Sequence, residues 1–213
     1  MKPCDCVERH RARRIVLTGG PGAGKTAILE LIRLFFCEHV KTLPEAAGIV
    51  FGGRFPRSER TELRQAAQRA IYHVQRELES TVASDNLAVV LCDRGTVDSA
   101  AYWLGGGDLF SAVGTSRSAE LARYDAVIHL RTPTSPSAYN RDNPLRIESL
   151  EEAGAIDRRI DEAWSGHPHR FIVDATDDFL SKASHTLALL RREVPECCRH
   201  HVRTFLWDGI IES

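Results

Sequence analysis

A glycine-rich loop between two apolar segments constrains the fold of this chain most strongly. Residues 14–29 read RIVLTGGPGAGKTAIL, and residues 19–26 fit the pattern Gly-x-x-x-x-Gly-Lys-Thr. The residues before the loop predict a buried strand and those after it predict a helix, so that backbone N–H groups and a helix N-terminus would converge on a phosphate. This is the Walker A phosphate-binding loop in its expected context, and it predicts binding of a nucleoside triphosphate.

The side chains of this loop have distinct expected roles. Lys25 would place a positive charge near the β- and γ-phosphates, and Thr26 would offer its hydroxyl to Mg²⁺. The glycines would let the backbone curl around a phosphate without a Cβ in the way. The residues predicted to bind ATP in this loop are Gly20, Pro21, Gly22, Ala23, Gly24, Lys25, Thr26 and Ala27.

Composition limits the class of partner. The chain has 213 residues, 43% of them hydrophobic, which suits one sizeable α/β core. Its 28 Lys and Arg nearly balance 29 Asp and Glu, which argues against nucleic acid or a membrane as the partner. It has no apolar run of ~18–20 residues, and its polar start lacks the apolar core of a secretory signal. We therefore expect a cytoplasmic protein.

Five apolar segments predict a parallel sheet. They cover residues 15–18, 40–43, 87–92, 126–130 and 171–173, and several are apolar throughout, as strands covered on both faces are. Helical periodicity separates them, most clearly over residues 63–78, and Ser149 with Glu152 forms a predicted capping box. The expected fold is a doubly wound, five-stranded α/β P-loop NTPase with helices on both faces.

Three segments are predicted to be loops near the phosphates: the glycine-rich residues 48–56 and 105–114 and the polar residues 132–144. The last would begin a lid over about 132–150. The expected domain organisation is a kinase-like domain over residues 1–193 and a C-terminal extension over 194–213.

Two acidic residues follow predicted strands. Asp93, after an apolar run, is expected to hold Mg²⁺ with Thr26, although it could instead cap the next helix. Glu45 could accept the proton of an attacking substrate hydroxyl, or could simply start the helix after Pro44. Arg94 could reach a phosphate or pair with a neighbouring acid.

The lid segment carries two candidate arginines. Arginine on a loop above the phosphates can neutralise the charge that develops during phosphoryl transfer, and closure of that loop excludes water. Arg146 is the first candidate for this role and Arg141 the second, with Arg141 also assigned to nucleotide binding. Arg158 and Arg159 are expected to be solvated or paired with Asp157, Asp161 and Glu162.

These segments together resemble a known family. In order they are GGPGAGKT, LPEAAGIVFGGRFP, LCDRG, YDAVIHL, RIESLEEA with Trp164, and FIVDAT. Over residues 14–192 the set resembles the NadR-like predicted ATPase/kinase family of P-loop proteins, and more distantly the deoxynucleoside and ribosylnicotinamide kinases. The resemblance implies Glu45 as catalytic base, Asp93-Arg94 as the acidic-Arg pair and Arg146-x-Glu148 as the lid motif. It also implies adenine near residues 174–178.

The combined reading is a Mg·ATP-dependent kinase acting on a small nucleoside-like or sugar-like acceptor, with Lys25, Glu45, Asp93, Arg94 and Arg146 as catalytic residues. The acceptor would lie near Phe51, Arg54, Phe55, Arg57, Tyr102 and Trp103, although Trp103 fits a core position better than an acceptor site. The alternative is a regulatory AAA-like ATPase or switch without an acceptor; a guanine-specific Asn-Lys-x-Asp motif is absent. The sequence leaves a homodimer open.

Four of the six cysteines lie near the two ends of the chain, and two adjacent histidines follow the second pair. Cys4, Cys6, Cys197, Cys198, His200 and His201 could become neighbours at the sheet edge opposite the phosphates. Their spacing matches no strong metal-ligand signature, so a zinc or redox cluster and ordinary packing both stay open. Cys37 and Cys92 lie in apolar segments and are expected to be small buried side chains.

Overall fold

The computed structural model describes residues 4–82, 86–133, 149–176 and 178–199. Its elements in chain order are β1 (Arg13–Thr18), α1 (Lys25–Phe35), β2 (Val40–Leu43), α2 (Ala46–Gly52), α3 (Thr61–Ser80), β3 (Val89–Asp93), α4 (Asp98–Ala101), α5 (Leu109–Ala112), α6 (Arg117–Leu121), β4 (Ala126–Leu130), α7 (Leu150–Ala163), β5 (Arg170–Val173), α8 (Phe179–Glu193) and α9 (Glu196–Arg199).

The five strands form one parallel sheet in the order β2-β3-β1-β4-β5. Strand β1 is central, with Leu17 beside Asp93 of β3 and Thr18 beside His129 of β4. Because the strands are parallel, their carboxyl ends meet at one edge, which is where ligands bind in open α/β sheets. The expected doubly wound sheet is confirmed.

Both faces of the sheet are buried, as the continuous apolar strands predicted. Ile15 and Leu17 belong to a core cluster shared with α1 and α8, whereas Val16 belongs to a second cluster shared with α4 and α7. Alternate side chains of one strand thus enter opposite cores. Trp164, the residue after α7, is fully buried in the second core.

Two of the expected loops contain helices. Residues 46–52 form α2, because Pro44 lies before this segment and Pro56 after it, and no proline interrupts it. Within residues 105–114, Asp108 accepts a hydrogen bond from the Ser111 amide and starts α5. The capping box at Ser149 and the helix over residues 63–78 are both as predicted. Most of the expected lid lies in residues 134–148, outside the described residues.

The first residues of the predicted extension pack on the main core. Val194 and Cys198 are buried in the same cluster as α1 and α8. Among the described residues, none of the helices combines the length and apolar character that crossing a membrane requires.

Two leucines on α8 provide a test of this packing. Leu187 is 2% exposed in the core, whereas Leu180 on the same helix is 64% exposed. We expect Leu187→Ala to lower the free energy of unfolding by about 2–5 kcal/mol, because it removes buried methyl groups and leaves a cavity. Leu180→Ala should change it by less than about 0.5 kcal/mol. Urea denaturation of both variants measures the difference, and similar losses would contradict this packing of α8.

Candidate functional site

The loop between β1 and α1 has a backbone that only glycine accommodates easily. Gly19, Gly22 and Gly24 all have positive φ, at 137°, 79° and 92°. A Cβ at Gly19 would lie 2.1 Å from the carbonyl oxygen of Leu130. Because α1 begins directly after Gly24, the loop leads into the N-terminus of an 11-residue helix. This is the geometry of a phosphate-binding loop.

Lys25 is held inside the loop by the loop's own backbone. Its Nζ donates hydrogen bonds to the carbonyl oxygens of Gly19 at 2.8 Å and Gly20 at 3.1 Å. Burial, and then the positive charge of Arg94, lower the pKa of Lys25 to about 8. An anion beside this ammonium would favour its charged form and raise that pKa.

Asp93 ends β3 with an unusual electrostatic environment. Burial raises the pKa of its carboxyl to about 6, although Lys25 acts in the opposite direction. Within the described chain its Oδ1 is buried and has no hydrogen-bond partner. A buried, unpartnered carboxylate oxygen fits a divalent cation, and oxygen ligands are those that Mg²⁺ prefers. Thr26 is exposed and lines the same cavity.

Arg94 connects three parts of the site. Its Nε lies 2.6 Å from Glu45 Oε1, and its Nη1 donates to the Gly19 carbonyl at 3.2 Å and lies 3.4 Å from Asp98 Oδ1. It adopts φ of 69°, in the left-handed region. The sequence allowed Arg94 either to reach a phosphate or to pair with a neighbouring acid, and in this structure it pairs with Glu45 and Asp98.

Glu45 is the N-cap residue of α2 and lines the cavity beside the loop. Burial raises the pKa of its carboxyl, but the charges of Arg94 and Lys25, with the Arg94 hydrogen bond, outweigh burial and bring the pKa below its ordinary value. Its side chain makes no hydrogen bond that caps α2. An ionised carboxylate therefore lies at the cavity wall and can accept a proton from a bound hydroxyl.

Two carboxylates that support this site were missed from the sequence. Asp98 accepts hydrogen bonds from the Trp164 indole at 3.1 Å and the Gly95 amide at 2.9 Å, and it also bonds the Thr18 hydroxyl. The signal available for it was its position four residues after Arg94 at the start of a helix.

Asp157 has a different role from the expected helix-surface pairing. It accepts a hydrogen bond from the Gly20 amide at 2.9 Å and bonds His129 at 3.0 Å. Arg131 pairs with both Asp157 and Asp161, and Arg170 also pairs with Asp161. Arg131 and Arg170 are distant from these aspartates in sequence. The local charge pattern, which favoured Arg158 and Arg159 as the partners of Asp157 and Asp161, was therefore wrong on this point.

A cavity of about 380 Å³ adjoins the loop. It brings together Lys25, Thr26, Glu45, Asp93 and Arg94 with apolar and amide side chains from α2, α3 and the segment after β3. Its lining residues are Pro21, Gly22, Lys25, Thr26, Glu45, Ala46, Ala47, Gly48, Phe51, Arg57, Gln68, Ile71, Gln75, Asp93, Arg94, Gly95, Asp98, Ser99 and Tyr102.

The acceptor residues expected from the sequence divide into two groups. Phe51, Arg57 and Tyr102 line the cavity, whereas Arg54, Phe55 and Trp103 are not part of its lining. Gln68 and Gln75, which no sequence motif indicated as acceptor residues, also line it, from α3. A second cavity of about 590 Å³ shares Phe51, Arg57, Gln68 and Tyr102 with the first.

Arg141, Arg146 and Glu148 lie outside the described residues, as does Asp177. The residues after β5 lead to α8, whose Phe179 ring lies against the phosphate loop: a Cβ at Gly24 would be 3.2 Å from it. Adenine near residues 174–178 stays a prediction.

The sequence matches the model of a family described as an AAA domain over residues 14–182, which is most of the chain. The chain belongs to this AAA domain family. None of the curated proteins compared with it matches. The matched region begins at the second residue of β1, contains every element from α1 to β5 and ends in the first turn of α8.

Solved structures show the same fold at low sequence identity. A deoxyadenosine kinase from M. mycoides with bound dATP has a TM-score of 0.60 and 16% identity, covering 84% of this chain and 98% of its own. A NadR protein in complex with NR has a TM-score of 0.66 and 18% identity over 87% of this chain. The present chain spans 52% of that NadR chain. The AAA domain described here therefore shares its P-loop fold with this deoxyadenosine kinase and with this NadR protein.

The raised pKa of Asp93 makes stability depend on pH. The folded pKa is about 6, above the unfolded value of about 4. The stability contributed by protonated Asp93 is therefore fully present below about pH 4 and is lost as the pH rises through about 6. Without Mg²⁺ or nucleotide, wild type should lose about 2–3 kcal/mol relative to Asp93→Asn between pH 4 and 7. Urea denaturation of both proteins across this range measures the loss; a constant difference would contradict it.

Proposed function

We propose that this chain is a kinase that transfers the γ-phosphate of ATP to a hydroxyl of a small nucleoside-like or sugar-like acceptor. The position of Glu45 carries the proposal. Its carboxylate lies in the wall of a cavity that Lys25, Thr26 and Asp93 also line. A phosphate loop alone would suit any nucleoside triphosphatase, but a carboxylate beside a cavity for a second molecule suits transfer to an acceptor.

The phosphate groups of ATP would lie over the loop between β1 and α1. Lys25 donates hydrogen bonds to the Gly19 and Gly20 carbonyl oxygens in this structure. When ATP binds, it would donate to phosphate oxygens in place of part of these bonds. Thr26 and Asp93 would hold Mg²⁺, which when bound neutralises charge on the phosphate oxygens. The unpartnered Oδ1 of Asp93 supports this assignment.

Glu45 would orient the acceptor hydroxyl and take its proton as the oxygen attacks the γ-phosphate. The ion pair with Arg94 keeps this carboxylate charged and fixes its direction. Arg94 would thus position the base, and its second contact with the Gly19 carbonyl ties the base to the phosphate loop. Positioning and charge neutralisation are the main requirements of in-line phosphoryl transfer.

The cavity has the chemistry of a site for a flat, partly apolar molecule. Phe51, Ile71 and Tyr102 supply apolar surface, and Gln68 and Gln75 supply amides. Gln75 donates to Glu79 at 3.0 Å, while its Oε1 is buried without a hydrogen-bond partner in the described chain. The two neighbouring structures hold dATP and NR, which also favours a nucleoside-like acceptor.

The reaction is tested by ADP release in the presence of nucleosides, nucleotides and sugar alcohols. At least one acceptor should raise turnover well above background hydrolysis. A flat response across the panel would overturn the kinase proposal and favour a regulatory ATPase or switch.

Glu45→Gln tests the proposed base. We expect acceptor-dependent kcat to fall about 10²–10⁴-fold, because the amide cannot take the proton, while ATP binding persists. Lys25→Ala should lose ATP binding itself. Glu62→Gln is the matched control, since that carboxylate is 77% exposed on α3. Steady-state kinetics and equilibrium ATP binding measure the effects; unchanged turnover in Glu45→Gln would exclude the base role.

Substituting Arg57 and Arg54 in turn distinguishes a specific role in acceptor binding from the general effect of removing a positive charge. Arg57 lines the cavity with its guanidinium 4.5 Å from the centre of the Phe51 ring, whereas the exposed Arg54 is not part of the lining. Arg57→Ala should raise the acceptor KM about tenfold, equivalent to ~1.4 kcal/mol, and leave the KM for ATP unchanged. Arg54→Ala should change neither, and an equal effect of both variants would remove Arg57 from the acceptor site.

A further inference from the structure

A cluster of cysteine and histidine side chains lies at the opposite edge of the sheet from the phosphate loop. His10 precedes β1 and His39 precedes β2, so both lie at the amino ends of strands. Cys198 in α9 joins them from the other end of the sequence. With six residues at roughly 3.3 Å each, β1 separates this cluster from the loop by about 20 Å. The cluster is therefore separate from the proposed phosphoryl-transfer site.

The sulfur and nitrogen atoms of the cluster are close together. Cys6 Sγ lies 3.4 Å from His10 Nε2, Cys198 Sγ lies 3.9 Å from the same nitrogen, and Cys198 Sγ lies 3.5 Å from His39 Nδ1. One ligand atom from each of Cys6, His10, His39 and Cys198 can be chosen so that all four lie within 4.8 Å of one another.

These separations match the edges of a zinc coordination tetrahedron. With Zn–S bonds of about 2.3 Å and Zn–N bonds of about 2.0–2.1 Å, tetrahedral angles place sulfur and nitrogen ligands about 3.6 Å apart. The three observed sulfur–nitrogen distances, 3.4, 3.5 and 3.9 Å, bracket that value. Ordinary packing brings side chains together in pairs, but it does not require four donor atoms to lie within 4.8 Å of one another.

The backbone around the four cluster residues is held by hydrogen bonds that do not involve their own side chains. The His39 carbonyl accepts hydrogen bonds from the Ala88 and Val89 amides at 2.8 and 3.0 Å. The His10 amide donates to Asn86 Oδ1, and Asn86 donates back to the Glu8 carbonyl, both at 3.0 Å. Cys198 is fully buried and His39 is 9% exposed. Ligand positions are thus fixed by the fold, which lowers the conformational cost of binding a metal.

We propose that Cys6, His10, His39 and Cys198 bind one zinc ion as a structural Cys₂His₂ site. The two thiols would lose their protons to solvent on binding, and the two imidazoles would bind in their neutral form. Four protein ligands complete a tetrahedron and leave no position for substrate, as in structural rather than catalytic zinc sites. The ion would connect the amino-terminal segment, the turn before β2 and α9, three parts distant in sequence.

Neighbouring cysteines define the competing arrangements. Cys4 and Cys37 form a second set with the same His39 and Cys198, and Cys197 Sγ lies 3.8 Å from His10 Nε2. The six described cysteines are free thiols. Cys197 belongs to neither of the two four-donor sets. Of these two sets, the chosen one is favoured because both of its cysteines have sulfur–nitrogen distances within 0.4 Å of the ideal edge of about 3.6 Å.

Metal analysis of the purified, reduced full-length chain tests this site. After gel filtration to remove loosely held ions, wild type should retain about one zinc ion per chain. Cys6→Ser and Cys198→Ser should each lower zinc content about tenfold or more, and His10→Ala provides a third ligand variant at a half-buried position. The zinc-depleted chain should also show a lower melting temperature, restored on adding zinc.

Two matched variants control for general effects. Cys197→Ser replaces the thiol adjacent to Cys198, and His185→Ala replaces an exposed histidine on α8; both should retain zinc. Substitution by Co²⁺ should give the visible absorption bands of a tetrahedral site with thiolate ligands. A wild-type chain with no zinc, or with disulfides instead of thiols, would overturn the proposal. Loss of zinc in Cys4→Ser and Cys37→Ser but not in Cys6→Ser would overturn this ligand set.

Discussion

The carbonyl oxygen of Gly19 accepts hydrogen bonds from two cations, and much of the site depends on it. Lys25 at the start of α1 donates to it at 2.8 Å, and Arg94 after β3 donates at 3.2 Å. Both side chains are therefore directed to the carboxyl end of β1, where the loop turns. The left-handed region adopted by Gly19, and the absence of a side chain there, allow Leu130 to approach closely enough to keep β4 beside the loop.

Two cations buried in one place require compensating negative charge. Glu45 and Asp98 pair with Arg94, and Asp93 favours the charged form of Lys25. Asp157 then fixes the loop from the other side through the Gly20 amide. The carboxylates differ in how well they are satisfied: Asp98 is bonded by several groups, whereas Asp93 retains an unpartnered oxygen. This contrast separates a carboxylate that supports the architecture from one suited to a ligand.

Local patterns were sufficient for much of the fold. Continuous apolar segments predicted the parallel strands, and the capping box predicted the start of α7, because both signals lie within a few residues of the structure they specify. The positions of Glu45 and Asp93 beside the phosphate loop were predictable, because the carboxyl ends of parallel strands share one edge of the sheet.

The supporting roles of Asp98 and Asp157 were not predictable, since their partners Trp164, Gly20 and His129 are distant in sequence. The sequence predicted a cluster of Cys4, Cys6, Cys197 and Cys198 with His200 and His201, and these two histidines lie outside the described residues. Cys37, assigned to packing, and His39 join the cluster from the turn before β2, and His10 joins it from the segment before β1.

The backbone of Arg94 affects how variants at this position should be interpreted. A non-glycine residue at φ of 69° carries a conformational cost of about 1–3 kcal/mol, which the surrounding bonds must offset. Alanine would lose the guanidinium and keep the strained backbone, whereas glycine would lose the guanidinium and relieve the strain. The two truncations are therefore not equivalent: both leave Glu45 and Asp98 without their cationic partner, but only glycine also relieves the backbone strain. The difference in stability between the alanine and glycine variants therefore reports the cost of this backbone conformation separately from the contribution of the guanidinium.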